Sequence, residues 1–145
     1  MVKNLQVYSQ DLSINKREVH TLIASLRKEF GLNISFLSIS FINSTELREI
    51  NRVYLKHNYE TDVITFNYSK ELKDIDGEIL ISFEEAKYNA KKFNVSYGEE
   101  LCRLVIHGML HLLNFDDKDR KRKKIMKQEE KKLINRYNFT LFAGK

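Results

Sequence analysis

The chain has 145 residues, a formal net charge of +5 and no proline, and 42% of its residues are hydrophobic. This length and apolar fraction suit one domain with a buried core, and they argue against a disordered chain or a flexible tether. No apolar run approaches the length of a membrane span, the N-terminus lacks a signal-peptide pattern, and the single cysteine, Cys102, is expected in the core, so we expect a cytoplasmic protein without a membrane partner.

Hydrophobic periodicity predicts three elements in the first part of the chain. Weak alternation at Lys3–Tyr8 is typical of an edge strand. Apolar residues recur every three or four positions over Asn15–Phe30, which predicts an amphipathic helix that ends at Gly31. Asn33–Ile42 is dense in Ile, Leu and Phe and has alternating serines, which predicts a strand.

The rest of the chain is predicted to alternate between helices and strands. Ser44 is expected to cap a helix that runs to about Leu55. The later elements are strands over 62–67 and 77–82, and helices over 82–93, 98–113 and 118–135. The pattern predicts an α+β fold with a single domain over residues 1–145, in which helices pack over one mixed sheet of about four strands.

His107 and His111 are the most informative residues, and they lie four apart in an apolar helical stretch. Residues with this spacing share one helix face, so both imidazoles would point at one spot, as binding of a zinc-type cation requires. The alternative is a pair of core histidines that are hydrogen bonded to backbone carbonyls.

A third ligand is expected where this helix ends. Asn114 tolerates the left-handed conformation that closes a helix C-terminus. The chain reversal would return the following residues toward the histidines, so Asp117 is the preferred carboxylate ligand and Asp116 is the alternative. Two imidazoles and one carboxylate leave a fourth position for water, which is the catalytic arrangement of zinc.

The sequence HGMLHLLNFDD at residues 107–117 resembles the HGxLHLxGYDH signature of the YbeY family. The members of this family are metal-dependent endoribonucleases that mature ribosomal RNA. In that signature three histidines are metal ligands. His107 and His111 match the first two, Asp117 stands at the third, and Asn114 replaces the glycine of the turn. A carboxylate ligand lowers the net charge of the site, so it should make a metal-bound water less acidic.

Three upstream segments carry the same resemblance. INRVY, TDVITF and GEILIS, at residues 50–54, 61–66 and 77–82, are similar to the family's LNxxYR, TDVLSF and GDIxIS. With the histidine segment, the resemblance covers about residues 39–133. Leu55 stands where the family has an arginine that is implicated in activity, and either Lys56 or His57 could supply the missing charge.

The resemblance implies a single-strand-specific endoribonuclease that acts near the 3′ end of 16S ribosomal RNA and in ribosome quality control. Its partners would be ribosomal RNA and the small ribosomal subunit. One Zn²⁺ per chain is expected, although nickel, cobalt and manganese accept the same ligand types. The metal would polarise a phosphoryl oxygen or activate a bound water.

The positive charge of the chain is concentrated after the histidine segment. Residues 118–132 contain nine Lys or Arg and three acidic residues, a net of +6, which leaves 16 basic and 17 acidic residues elsewhere. Such a run is usually a solvated helix face, but beside a metal site it indicates a surface for a polyanion. The residues expected to bind the phosphates of RNA are Lys118, Arg120, Lys121, Arg122, Lys123 and Lys124.

Three further residues are candidates for supporting roles. Arg103 lies one turn before the first histidine and would stabilise charge on the scissile phosphate, or else pair with Glu99 or Glu100. His57 would transfer a proton, or else is simply solvated. Asp62 would orient a metal-bound histidine through its free ring nitrogen, or else is the polar start of a buried strand.

Two other functions remain open. A non-catalytic assembly factor would bind RNA or the ribosome and use the metal to stabilise its fold, with a fourth protein ligand such as Asp116. A zinc protease would need a glutamate directly after the first histidine, where this chain has Gly108. The same glycine leaves RNA cleavage without an evident base, so a metal-bound hydroxide or the 2′-hydroxyl of the RNA would attack.

Overall fold

The four strands form one mixed sheet in the order β1-β2-β4-β3. β1 and β4 both pair in parallel with β2, while β3 pairs antiparallel with β4. The computed structural model describes residues 1–137, so the last eight residues of the predicted domain lie outside the described part. The elements are β1 (Leu5–Ser9), α1 (Lys16–Phe30), β2 (Asn33–Ile42), α2 (Ser44–Leu55), β3 (Val63–Asn67), β4 (Asp74–Ser82), α3 (Phe83–Phe93), α4 (Tyr97–Leu112) and α5 (Arg120–Arg136).

This architecture confirms the predicted α+β fold and the mixed four-stranded sheet. The first strand lies at the sheet edge, as its weak alternation predicted. Within residues 1–137, no helix combines the length and the apolar character that crossing a membrane requires.

Helix caps explain where the first two helices begin and end. The Asn15 side chain accepts from the backbone N–H groups of Arg17 and Glu18, and α1 ends at Gly31, whose φ is 63°. The predicted cap of α2 was wrong by one residue. Asn43 accepts from the third N–H of that helix, and Ser44 instead places its hydroxyl 2.8 Å from that of Ser82.

Three later boundaries differ from the sequence prediction by a few residues. β4 begins at Asp74, because the strand pairs with β2 along its whole length. α4 begins at Tyr97 and is preceded by a capping box between Ser96 and Glu99. α5 begins at Arg120, where the Asp119 side chain accepts from the helix N-terminus.

Close approach to the sheet fixes the position of α4. A Cβ atom at Gly108 would lie 2.8 Å from Cγ2 of Ile79 in β4, so only glycine allows this helix to lie so near the strand. Cys102, on the same helix, is 2% exposed, which confirms its predicted place in the core. The helix buries its apolar residues while His107 and His111 stay partly accessible.

Gly77 in β4 is crowded from two directions. A Cβ atom there would lie 2.5 Å from the carbonyl oxygen of Phe66 in β3 and 3.0 Å from Cδ2 of Leu112 in α4. These contacts leave no room for a side chain at the point where β3, β4 and α4 meet.

α5 packs on the domain through one narrow face. Met126 and Leu133 are buried on this face, and Glu130 lies between them at 9% exposure. The end of the helix is held by Glu29 of α1, which accepts hydrogen bonds from Arg136 and from the Tyr137 hydroxyl. The long basic face of α5 remains exposed.

Candidate active site

A cavity of about 340 Å³ opens between the end of α2, the strand β3 and the end of α4. His107, His111 and Asp117 all line it, together with His57 and Asp62. The fold therefore brings the three preferred metal ligands and two of the supporting residues to one place. Arg103 and the alternative ligand Asp116 are not among the described residues that line the cavity.

The two histidines face each other across a short gap. Their Nε2 atoms are 3.2 Å apart, and their ring centroids are 4.7 Å apart with an angle of 74° between the planes. A tetrahedral zinc ion with Zn–N bonds of about 2.0–2.1 Å separates two ligand nitrogens by about 3.3 Å. The spacing suits two ligands of one cation, and it also permits a direct hydrogen bond between the rings.

The chain reversal after α4 follows the predicted course. Asn114 has a φ of 70°, the left-handed conformation expected at this position. The backbone N–H of Asn114 donates to the carbonyl of His111, and that of Phe115 donates to Leu110, both over 3.0 Å. The following loop brings Asp117 to the cavity that the histidines line.

Asp116, the alternative ligand, is used elsewhere. Its carboxylate accepts from the backbone N–H of Lys118 over 3.1 Å and lies 3.4 Å from Nη1 of Arg122. Asp116 is not among the described residues that line the histidine cavity. The arrangement therefore favours Asp117 over Asp116 as the carboxylate donor.

Two of the three candidate donors have a spacing that suits ligands of one cation, and the third lines the same cavity. In the described chain, no three His, Cys, Asp or Glu side chains stand close enough together to hold a metal ion. The residues fit a divalent cation through their chemistry and through the spacing of the two nitrogens. Asp117 would have to approach the histidines to complete the set.

The environment of His111 favours a neutral ring. Burial lowers the pKa of His111, and the nearby charge of His107 lowers it further, against opposing effects of Asp117, a Phe115 backbone hydrogen bond and Asp116. A metal-binding imidazole must be unprotonated at the binding nitrogen, so this direction suits a ligand.

Glu130 is a site residue that the sequence analysis missed. Its Oε2 lies 2.7 Å from Nδ1 of His107, on the side of the ring away from His111. Burial raises the pKa of Glu130, but the hydrogen bond from His107 and the charge of Arg103 outweigh it and lower the pKa overall. The available signal was its position between Met126 and Leu133, at helical spacing on an apolar stripe.

Arg103 is engaged with two carboxylates. Its Nε and Nη2 donate to Glu100 over 2.9 and 2.6 Å, and its Nη1 donates to Glu130 over 3.2 Å. The guanidinium is not among the described side chains that line the histidine cavity, although its Nη2 lies 3.8 Å from Oδ2 of Asp62, which does line it. Its contact with a scissile phosphate stays a prediction. The alternative of an ion pair with Glu100 is confirmed, although this pair is buried because Glu100 is 2% exposed.

Asp62 lines the cavity but contacts other groups than an imidazole. Its Oδ2 accepts from Nδ2 of Asn89 over 3.1 Å and lies 3.8 Å from Nη2 of Arg103. The role that was predicted for Asp62, to hold the second nitrogen of a histidine, is occupied by Glu130 in the structure.

His57 lies at the mouth of the cavity beside Tyr59. The two rings stack with centroids 5.1 Å apart, and the Tyr59 hydroxyl is 2.9 Å from Nδ1 of His57. Asn51, 2% exposed and not identified from the sequence, donates from its side chain to the Tyr59 carbonyl over 3.0 Å and so holds this loop. Leu55 also lines the cavity. Of the two residues that were predicted to supply the missing charge, His57 lines the cavity and Lys56 does not.

The residues predicted to bind phosphate all lie on the surface. Arg122 is paired with Asp116 and Asp119. The others project into solvent around the first turns of α5: Lys118, Arg120, Lys121, Lys123 and Lys124. Their contact with RNA stays a prediction.

Comparison with known proteins gives one consistent result. The family described as Endoribonuclease YbeY matches residues 4–138. A protein of that name from Parabacteroides distasonis is 35% identical over 88% of this chain and 91% of its own length, and one from Karelsulcia muelleri is 43% identical over 74% of each. The solution structure of a Thermotoga maritima protein covers 97% of this chain and 99% of its own, with a TM-score of 0.62 and 25% identity. The chain is therefore a member of the YbeY endoribonuclease family.

Proposed function

We propose that this protein is a metal-dependent endoribonuclease that cleaves single-stranded RNA during ribosomal RNA maturation. One observation carries the proposal: two imidazole Nε2 atoms lie 3.2 Å apart in a cavity that Asp117 also lines. The relatives' shared name, Endoribonuclease YbeY, supports the nuclease activity.

His107, His111 and Asp117 would hold the metal. Zinc is the first choice, and nickel, cobalt and manganese are compatible with the same donors. When bound, the metal supplies a Lewis acid for a phosphoryl oxygen and an activated water. His57, which lines the same cavity, would give or take a proton.

The basic face of α5 would hold the RNA by its phosphates. Its exposed lysines and arginines follow directly on the loop that carries Asp117, so a strand held on this face can continue into the cavity. No aromatic residue interrupts the basic run at residues 118–132, which favours backbone contacts over base recognition. We propose 16S ribosomal RNA near its 3′ end as the substrate, the small subunit as the partner, ribosome quality control as a further role, and the cytoplasm as the location.

Gly108 is explained by packing and not by chemistry. Its place against Ile79 requires a residue without a side chain. A glutamate at this position, which zinc proteases use as the general base, would not fit. The site therefore favours a hydrolase that does not depend on a base inside the histidine motif.

Metal analysis of the purified protein, combined with cleavage of a single-stranded RNA with and without chelator, tests the proposal. We expect about one zinc per chain, cleavage that the chelator stops, and recovery when zinc is added back. The variant His111→Ala should lose cleavage and retain RNA affinity. Cleavage that persists in His111→Ala, or that ignores the chelator, would contradict the proposal.

The non-catalytic assembly factor is the second candidate, and one observation favours it. The exposed basic face of α5 can bind RNA without cleaving it, whereas the fourth ligand that this alternative would use, Asp116, contacts Lys118 and Arg122 instead. Under this alternative the wild type binds RNA in a salt-dependent manner and cleaves nothing, whether or not metal is present.

A further inference from the structure

The structure assigns a positioning role to Glu130. We propose that this carboxylate sets the tautomer and the orientation of the His107 ring, so that Nε2 of His107 faces the cavity as an unprotonated donor. The inference rests on the proposed metal-binding function of His107 and adds the residue that prepares it.

The first argument is the direction of the hydrogen bond. Oε2 of Glu130 lies 2.7 Å from Nδ1 of His107. An ionised carboxylate can only accept, so Nδ1 must carry the proton. A neutral imidazole has only one N–H, and the lone pair therefore falls on Nε2, the nitrogen that faces His111. Metal-binding histidines are commonly held in this way by a carboxylate on the second nitrogen.

The second argument is that Glu130 is itself fixed. Its Oε1 accepts from Nη1 of Arg103 over 3.2 Å while Oε2 bonds His107. Arg103 is held in turn by two hydrogen bonds to Glu100, at 2.6 and 2.9 Å. Both oxygens of Glu130 are engaged and the residue is 9% exposed, so its carboxylate has one well-defined orientation.

The third argument is that the same hydrogen bonds extend to Asp62, which also lines the cavity. The side-chain amide of Asn89 donates to both Asp62 and Glu100, each over 3.1 Å. Asp62 lines the cavity just before β3. The position of His107 is thus linked to that of Asp62 through Glu130, Arg103, Glu100 and Asn89.

A purely structural role is the alternative, in which Glu130 only compensates the buried charge of Arg103. The two roles differ in what happens to His107 in the folded protein. If Glu130 only pairs with Arg103, its neutral replacement changes stability and leaves the imidazole as it was. If Glu130 positions the ring, the replacement changes the imidazole even when the fold is intact.

The first experiment needs no variant and no metal. Nitrogen-15 NMR of the histidine side chains in the metal-free protein, at a pH where His107 is neutral, reports which ring nitrogen carries the proton. We expect the Nδ1-protonated tautomer for His107. A predominantly Nε2-protonated ring would overturn the proposal.

The second experiment measures Zn²⁺ affinity in Glu130→Gln, by competition with a chromogenic chelator. Glutamine keeps the volume of glutamate but can donate as well as accept, so it no longer enforces one tautomer. We expect an affinity loss of about 10–100-fold, the range for such supporting carboxylates, together with a mixture of tautomers. Glu129→Gln removes the same charge from the neighbouring position, where Glu129 pairs with Lys132, and should bind Zn²⁺ like the wild type.

Wild-type affinity and a wild-type tautomer in folded Glu130→Gln would refute the positioning role. If Glu130→Gln fails to fold, the tautomer in the wild type decides. A failure of the proposed metal-binding function would give a different result. The wild type itself would then bind no Zn²⁺, while the tautomer measurement would still test what Glu130 does to His107.

Discussion

Gly108 and Ile79 are in such close contact that the space between α4 and β4 excludes even a methyl group, since a Cβ atom would lie 2.8 Å from Cγ2 of Ile79. The absence of a side chain at Gly108 therefore lets α4 lie close to β4, and α4 carries both His107 and His111.

The first prediction concerns Gly108→Ala. Alanine favours a helix by about 1 kcal/mol relative to glycine, but overpacking in a core costs about 1–3 kcal/mol. Because the clash is with a branched side chain in the middle of a strand, we expect net destabilisation in urea unfolding and weaker Zn²⁺ binding. In an Ile79→Ala background, which removes the clashing atoms, Gly108→Ala should cost less. Equal costs in the two backgrounds would mean that the contact is not limiting.

The second prediction separates the two aspartates. Asp117→Asn should weaken Zn²⁺ binding by more than the about 10–100-fold expected for a supporting residue, because a ligand itself is lost. Asp116→Asn serves as the matched control, since its carboxylate contacts Lys118 and Arg122 instead. A larger loss in Asp116→Asn would reverse the assignment.

Asp117→His gives a third prediction at the same position. It restores the histidine of the YbeY signature, so Zn²⁺ binding should be retained. A neutral ligand leaves more positive charge on the site than a carboxylate does. The acidic limb of the pH–rate profile for RNA cleavage should therefore move to lower pH. An unchanged or oppositely shifted limb would contradict this reading of the aspartate.

The fourth prediction concerns the basic face of α5. Replacing Lys121, Lys123 and Lys124 by alanine should weaken binding of single-stranded RNA. The plot of log affinity against log salt should also become less steep by about 2, because each lost phosphate contact removes about 0.7 from the steepness. The control replaces three exposed lysines elsewhere in the chain, Lys3, Lys16 and Lys28. Equal loss in both triple variants would show that net charge, and not this face, holds the RNA.

The fifth prediction is a pH dependence of stability at His20. Nδ1 of this buried ring accepts from the backbone N–H of Val2 over 3.1 Å, so the ring is neutral in the fold. Burial, with the charge of the N-terminus, lowers the pKa of His20 from the usual 6.5. Between the lowered pKa of the folded state and the usual pKa of the unfolded state, the unfolded chain binds more protons at His20. The contribution of His20 to the free energy of unfolding is therefore highest above pH 6.5 and falls as the pH drops, by at most about 1.4 kcal/mol per pH unit.

Urea unfolding at several pH values checks this contribution. The variant His20→Gln should be less stable than the wild type at pH 8 and should lose less stability on acidification. An identical pH dependence of the two proteins would exclude His20 as the source.

Local patterns in the sequence predicted those parts of the site that local geometry determines. The four-residue spacing of His107 and His111 and the left-handed Asn114 follow from helix geometry, and the structure confirms both. For Arg103 the sequence did not reveal the contact with Glu130, because helix spacing gives the face of a residue and not the neighbour that covers this face. That neighbour, Glu130, is 23 residues from His107 in the sequence, and it lies in a run in which basic residues predominate.

The cap of α2 shows the same limit on a smaller scale. Asn43 and Ser44 are both good capping residues, and propensity alone does not choose between them. The choice follows from the Ser44 hydroxyl, which meets Ser82 at the end of β4. That contact exists only after the sheet has formed.

The crowding at Gly77 has a consequence for the shape of the cavity. A Cβ atom on Gly77 would meet both the backbone of Phe66 on β3 and the side chain of Leu112 on α4, and residues of both elements line the cavity. A larger residue at this position would push β3 and α4 away from β4. The width of the cavity therefore depends in part on Gly77, a residue that does not line it.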